Sequence, residues 1–145
     1  MRALGIDLGS KRIGIAVSDR SGTIASPLLV LQRSGSTRRD HEAIRALAVE
    51  EEAEMLVVGL PLNMNGSSGP AAQAAIKEAE ALATVVGVPV ITFDERRTTV
   101  TADRALMEAN ISARDRRKYV DKVAAAILLQ HWLDSRASGS GVPGR

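Results

Sequence analysis

Gly5-Ile6-Asp7-Leu8-Gly9-Ser10-Lys11-Arg12-Ile13-Gly14-Ile15-Ala16-Val17-Ser18 is the stretch from which the fold can be read. Residues 2 to 8 and 12 to 18 are short apolar runs with β-branched side chains, and Gly9-Ser10-Lys11 between them suits a tight turn, so a β-hairpin is predicted. Ser26 to Gln32 adds a third antiparallel strand. Beyond Ser34-Gly35-Ser36 the period changes. From Arg38 to Glu52, Ile44, Leu47 and Ala48 fall on one side with charges opposite, a helix pattern. Met55 to Leu60 is then a continuous apolar run, as expected of a strand buried on both faces.

The loop Pro61 to Gly69 leads into Pro70, a good first helical residue, and a helix to Val86 is predicted with Ala72, Ile76, Ala79, Leu82, Ala83 and Val86 as its apolar stripe. Gly87 suits its C-cap. Val88 to Phe93 reads as another buried strand, followed by polar Asp94-Glu95-Arg96-Arg97-Thr98-Thr99. A helix near 100 to 109 ends at Asn110, and Ser112 with Asp115 resembles a capping box opening a last helix to about Ser135. The order predicts an α/β fold: a mixed five-stranded sheet of three N-terminal antiparallel strands and two parallel strands reached by right-handed crossover helices. One domain over residues 1–136 and a flexible Gly/Ser-rich tail over 137–145 are expected.

The 145 residues are one domain's worth, and ordinary apolar and charged fractions of 45% and 25% exclude a disordered or fibrous chain. Phe93, Tyr119 and Trp132 are the only aromatic residues, so the base-stacking platforms of single-strand binders have little to work with, and any nucleic acid would be held by charge and shape. The absence of cysteine excludes disulfide scaffolds, thiolate zinc sites and thiol nucleophiles. An acidic residue, Asp7, precedes any apolar stretch long enough for a signal peptide, and no run approaches a membrane span, so a cytoplasmic protein without membrane contact is expected. The net charge of +2 is unevenly spread: residues 1–45 carry 8 basic and 4 acidic side chains, 46–95 carry 1 and 8, and 96–145 carry 10 and 5. Lys11-Arg12, Arg38-Arg39, Arg96-Arg97 and Arg114 to Lys118 are four basic groups that a fold could gather around a polyanion, or simply leave solvated.

Three acidic positions could carry chemistry. Asp7 lies near the end of an apolar strand, where burying a charge is costly unless a cation offsets it; the ordinary alternative is a solvent-facing or turn-capping carboxylate. Asp94-Glu95 ends a second strand, and ligands of open α/β sheets collect at the carboxyl ends of strands; an acidic turn neutralised by Arg96 is the alternative, and the two carboxylates cannot be told apart here. Asp121 shares a helix face with Ala124, Ala125 and Leu128, so it emerges from a small apolar surface, unless it pairs with Arg117 or Lys118 one turn earlier. Carboxylates from two strand ends and a helix suit Mg²⁺ or Mn²⁺, and two such ions activate a water and stabilise the leaving oxygen in phosphodiester hydrolysis. His41 and His131 read as surface or partly packed residues, and no serine sits in a nucleophile elbow. The glycine hairpin could also cradle ATP phosphates as in actin-like ATPases, but those need two domains and a cleft, for which the length leaves no room.

Gly5 to Asp19, Val58-Gly-Leu-Pro-Leu-Asn-Met-Asn-Gly66, Asp94-Glu-Arg-Arg-Thr-Thr99 and Val120-Asp-Lys-Val-Ala-Ala-Ala-Ile-Leu-Leu129 resemble, in order and spacing, the YqgF/RuvX family. That family is described as pre-16S rRNA nucleases and Holliday-junction-resolvase-like proteins with an RNase H-like fold. The resemblance implies that Asp7, Glu95 and Asp121 are the catalytic, metal-binding acids and that Lys11, Arg12, Asn63 and Arg96 suit phosphate contacts. Arg97 departs from the apolar residue expected after Asp-Glu-Arg. The expectation is a Mg²⁺- or Mn²⁺-dependent endonuclease that trims precursor 16S rRNA. The alternatives are a resolvase of four-way DNA junctions, which would work as a symmetric homodimer, and a non-catalytic nucleic-acid-binding assembly factor.

Overall fold

The computed structural model describes residues 1–61, 69–94 and 113–139, the last segment by backbone alone at 113–122 and 137–139. The elements run β1 (Ala3–Leu8), β2 (Arg12–Ser18), β3 (Ala25–Gln32), α1 (Thr37–Glu50), β4 (Met55–Leu60), α2 (Pro70–Val86), β5 (Val90–Asp94) and α3 (Ala113–Gly139). They form a five-stranded sheet in the order β3-β2-β1-β4-β5. β1, β2 and β3 pair antiparallel as the hairpin reading predicts, while β1 with β4 and β4 with β5 are parallel. The expected helix near 100 to 109 and its end at Asn110 lie outside the described residues.

Strand alternation separates two cores. Leu4 and Ile6 of β1, Ile13 and Ile15 of β2, and Leu56 and Val58 of β4 face α1 and α2, where Ile44 and Leu82 are fully buried. Ala3, Ala16 and Val57 face the other way onto α3, against Ala125, Leu129 and Trp132. The sheet is thus the middle of three layers, and β4, covered on both sides, has the unbroken apolar sequence that this requires.

The second layer is unusually close. A Cβ placed on Gly5 would stand 2.8 Å from both the Ala125 carbonyl oxygen and the Leu129 Cβ, so only glycine lets α3 lie this near β1. Gln130 ties the same helix to the β2–β3 connection, its amide oxygen accepting from the Ala25 N–H at 2.9 Å and its amide nitrogen donating to the Thr23 carbonyl at 2.9 Å.

Several boundaries differ from expectation for local reasons. Helix α1 stops at Glu50, because Glu51 caps it and Glu52 enters the left-handed region at φ 56°. The buried stripe of α2 is Ala72, Ala75, Ala79, Leu82 and Val86; Ala83 points to solvent, because the stripe follows a narrower set of turns than the apolar sequence suggests. Gly87 at φ 74° does close the helix. Among the described residues β5 is the edge of the sheet rather than an interior strand, and its residues are half-buried with Thr92 exposed. Helix α3 continues through Gly139, three residues into the stretch expected as a tail.

Candidate active site

β1, β4 and β5 run parallel, so Asp7, Leu60 and Asp94 approach one edge of the sheet, the edge where open α/β folds bind ligands. Asp7 has the parity of Ala3 and Gly5 and therefore belongs to the face covered by α3, where it is half-buried. Its partner on β2 is Gly14, and continuing the β1–β4 register by one residue from Ile6–Val58 brings Gly59 to its other side. The carboxylate is thus flanked on both neighbouring strands by residues without side chains. Neither glycine stands out in the sequence as a neighbour of Asp7; only the register reveals it.

Of the adjacent acids, the structure places Asp94 on the opposite face from Asp7. Asp94 pairs with Leu60 and shares its parity with Val90, which packs on the α1–α2 core, while Ile91 and Phe93 pack on the α3 core. Glu95, with Asn63 and Arg96, lies outside the described residues.

Helix α3 runs antiparallel to β1: Arg136 lies at Met1, with its Nη1 3.5 Å from the Met1 Sδ, and Ala125 lies at Gly5. Residue 121 is one turn of this helix before Ala125, in the direction in which β1 advances from Gly5 to Asp7. The backbone position of Asp121 is thereby on the Asp7 side of the close contact. Ala124, Ala125 and Leu128 are buried as the helix-face reading expects.

The turn after Asp7 is built from backbone. The Gly9 N–H donates to the Asp7 carbonyl at 3.1 Å and to the Arg12 carbonyl at 2.9 Å, and a Cβ on Gly9 would meet the Arg12 carbonyl oxygen at 2.5 Å. Lys11 at its tip is exposed and Arg12 half-buried.

On the α1–α2 side, a polar network reaches the same turn. The Arg33 N–H donates to the Lys11 carbonyl at 2.9 Å and its Nε to the Gly9 carbonyl at 2.7 Å. Its two terminal nitrogens donate to the two Glu78 carboxylate oxygens, each at 2.9 Å. His41 Nε2 lies 2.9 Å from Glu78 Oε2. Burial pushes the Glu78 carboxyl up, but the hydrogen bonds from Arg33 and His41 outweigh it, so it lies below the usual carboxylate range. An ionised Glu78 only accepts, so His41 Nε2 carries the donated proton. His41 is 2% exposed, which corrects the expectation of a surface or partly packed residue: its partner Glu78 comes from a distant segment that no local pattern connects to it. His131 is exposed, as expected.

Among the described residues no group of three potential metal-binding side chains occurs, since Asp7 is the only member of the expected set whose side chain is described. A half-buried carboxylate between two glycines at a strand's end does fit an oxygen ligand for a hard divalent ion. No helix among the described residues is long and apolar enough to cross a membrane.

A family model described as "RuvX: Holliday junction resolvase" matches residues 1–135. A Thermoanaerobacter pseudethanolicus protein named "Putative pre-16S rRNA nuclease" is 47% identical over 94% of this chain and 98% of its own length. A Myxococcus xanthus protein of the same name is 47% identical over 93% and 89% of the two chains. Among solved structures, Thermus thermophilus RuvC in complex with a Holliday junction substrate shares 18% identity at a TM-score of 0.56, covering 94% of this chain and 96% of that one. The yeast mitochondrial Holliday junction resolvase Ydc2 shares 13% identity at a TM-score of 0.56, covering 97% and 80%. At these identities the likeness shows the fold, and it is the RNase H-like fold that the sequence led one to expect.

Proposed function

The chain belongs to the RuvX family, and from that premise we propose that it is a metal-dependent endonuclease that hydrolyses phosphodiester bonds, trimming the 5′ end of precursor 16S rRNA in the cytoplasm. The observation that carries the reading is the placement of Asp7: a half-buried carboxylate at the end of a central strand, between Gly14 and Gly59, beside the helix that carries residue 121. The names of the closely similar proteins supply the substrate class.

In this reading Asp7 anchors the metal ions, and Glu95 and Asp121 complete their oxygen ligands. Bound Mg²⁺ or Mn²⁺ would supply an activated water and a charge partner for the leaving oxygen. The strand register fixes the backbone position of Asp7 before substrate arrives, which limits the reorganisation needed in the reaction. Lys11 and Arg12, on the turn that follows, hold the phosphate backbone beside it, with Asn63 and Arg96 as further contacts. Phosphate contacts position the strand without reading its bases, consistent with a chain containing few aromatic residues.

Resolution of four-way DNA junctions is the second reading, favoured by the family model's own description. It requires the same acids and a symmetric homodimer that makes paired nicks. One assay separates the two. A precursor-rRNA 5′ fragment and a four-way DNA junction are incubated side by side with Mg²⁺, Mn²⁺ or EDTA, with Asp7→Asn as control. Metal-dependent cutting of the RNA, lost in the variant, is the expected result. Preferential paired nicking of the junction would select the second reading. A folded Asp7→Asn chain that cuts like the wild type would overturn the site, and salt-sensitive binding without turnover would make the protein an assembly factor.

A further inference from the structure

Arg33 makes more contacts with the Gly9–Arg12 turn than strand pairing requires. Its backbone N–H on the Lys11 carbonyl extends the β2–β3 pairing, but its Nε also reaches the Gly9 carbonyl at 2.7 Å. A turn carbonyl at a surface is ordinarily satisfied by water. Here a charge-assisted bond replaces the water, from a guanidinium that is itself fixed by a bidentate pair with Glu78. Arg33 and Glu78 are 19% and 18% exposed at their side chains, and Glu78 is braced in turn by His41 at 2%.

Three segments thus converge on the β1–β2 turn: the end of β3 through Arg33, α2 through Glu78, and α1 through His41. A buried ion pair is a poor device for stability, because desolvation roughly cancels the attraction. What a planar fork on a carboxylate does supply is direction. The direction here ends on the Gly9 carbonyl, two residues before the exposed Lys11, whose own carbonyl the Arg33 backbone N–H holds.

The geometry points to Arg33, held by Glu78 and His41, as the positioning residue for Lys11, setting the angle at which that lysine meets the substrate's phosphate backbone. Arg33 touches no substrate; it acts through the turn. The inference rests on the reading of Lys11 as a phosphate contact of a nuclease site. It predicts a split effect: loss of the clamp weakens binding and spares the chemical step.

The test measures binding of a fluorescein-labelled precursor-rRNA 5′ fragment by anisotropy in the Asp7→Asn background. Single-turnover cleavage at saturating enzyme is measured in the otherwise wild-type chain. Arg33→Lys, which keeps the charge and loses the fork, should raise Kd about tenfold, and Glu78→Gln about threefold, with the saturated rate within about twofold of wild type. Combined with Lys11→Ala, Arg33→Lys should add little, because both act through the same side chain. A merely structural role would lower the saturated rate through the active fraction and would add fully to Lys11→Ala. Either result overturns the inference, as does an unchanged Kd in both clamp variants. If Arg33→Lys fails to fold, Glu78→Gln carries the test with the same readouts. Failure of the nuclease reading looks different: the wild type shows no metal-dependent cutting, or Asp7→Asn cuts normally, whatever the clamp variants do.

Discussion

The two faces of the sheet are organised in contrasting ways. On the α3 face, closeness is achieved by removing atoms: Gly5 beneath Ala125 and Leu129, with Gly14 and Gly59 beside Asp7. On the α1–α2 face, large aliphatic side chains fill the space, and at one end a charged network of Arg33, Glu78 and His41 takes their place. The first face positions a carboxylate by leaving room around it. The second positions a turn by hydrogen bonding. One strand, β1, connects the two, since its alternate residues belong to opposite faces.

Asp7→Asn breaks the contrast most sharply. Cleavage should fall about 10³-fold, roughly 4 kcal/mol of barrier, while the urea midpoint stays at or above that of wild type. A parallel loss of rate and stability would mean that Asp7 belongs to the scaffold. Gly5→Val follows, since its branched side chain cannot be placed without moving the α3 backbone; about 3 kcal/mol of stability should be lost in urea unfolding, at the upper end of overpacking costs. On the other face, His41→Ala empties a buried site and leaves the half-buried Glu78 Oε2 with Arg33 as its remaining donor, and about 2 kcal/mol is expected from the same measurement.

Sequence reasoning reached the hairpin, the buried β4, Pro70 and Gly87 because each is signalled within a few residues. The site was only partly legible for the complementary reason. That Asp94 faces away from Asp7 depends on the parallel register of two crossovers, and the glycines beside Asp7 depend on the same register. His41 resembled a surface or partly packed residue because its partner Glu78 stands 37 positions away, on α2. Nothing in the sequence distinguishes Arg33 from the other arginines.

The pH response provides the smallest and most selective tests. The lowered Glu78 carboxyl contributes stability that is complete above its unfolded value of about 4.5 and is lost as pH falls through its lower folded value. Glu78→Gln should therefore flatten the acid side of the unfolding midpoint. Asp19, on the β2–β3 connection, accepts from the Thr23 N–H, the Ser21 hydroxyl and the Ile24 N–H, which hold its pKa at about 2 against 3.8. Its contribution is complete above pH 3.8 and fades toward pH 2, a surface effect that Asp19→Asn should remove with only a slight change of slope.

The antiparallel course of α3 on β1 also has a practical consequence for experiments. Met1, with its ammonium on the Arg20 carbonyl and Arg136 at its thioether, marks one pole of the molecule, and fifteen helical residues separate Arg136 from position 121. At about 1.5 Å per residue that is roughly 22 Å of rigid spacer. A fluorophore or surface tether attached at Met1 would therefore leave the pole bearing Asp7 unobstructed, so that single molecules could be immobilised in one orientation with that pole toward solution.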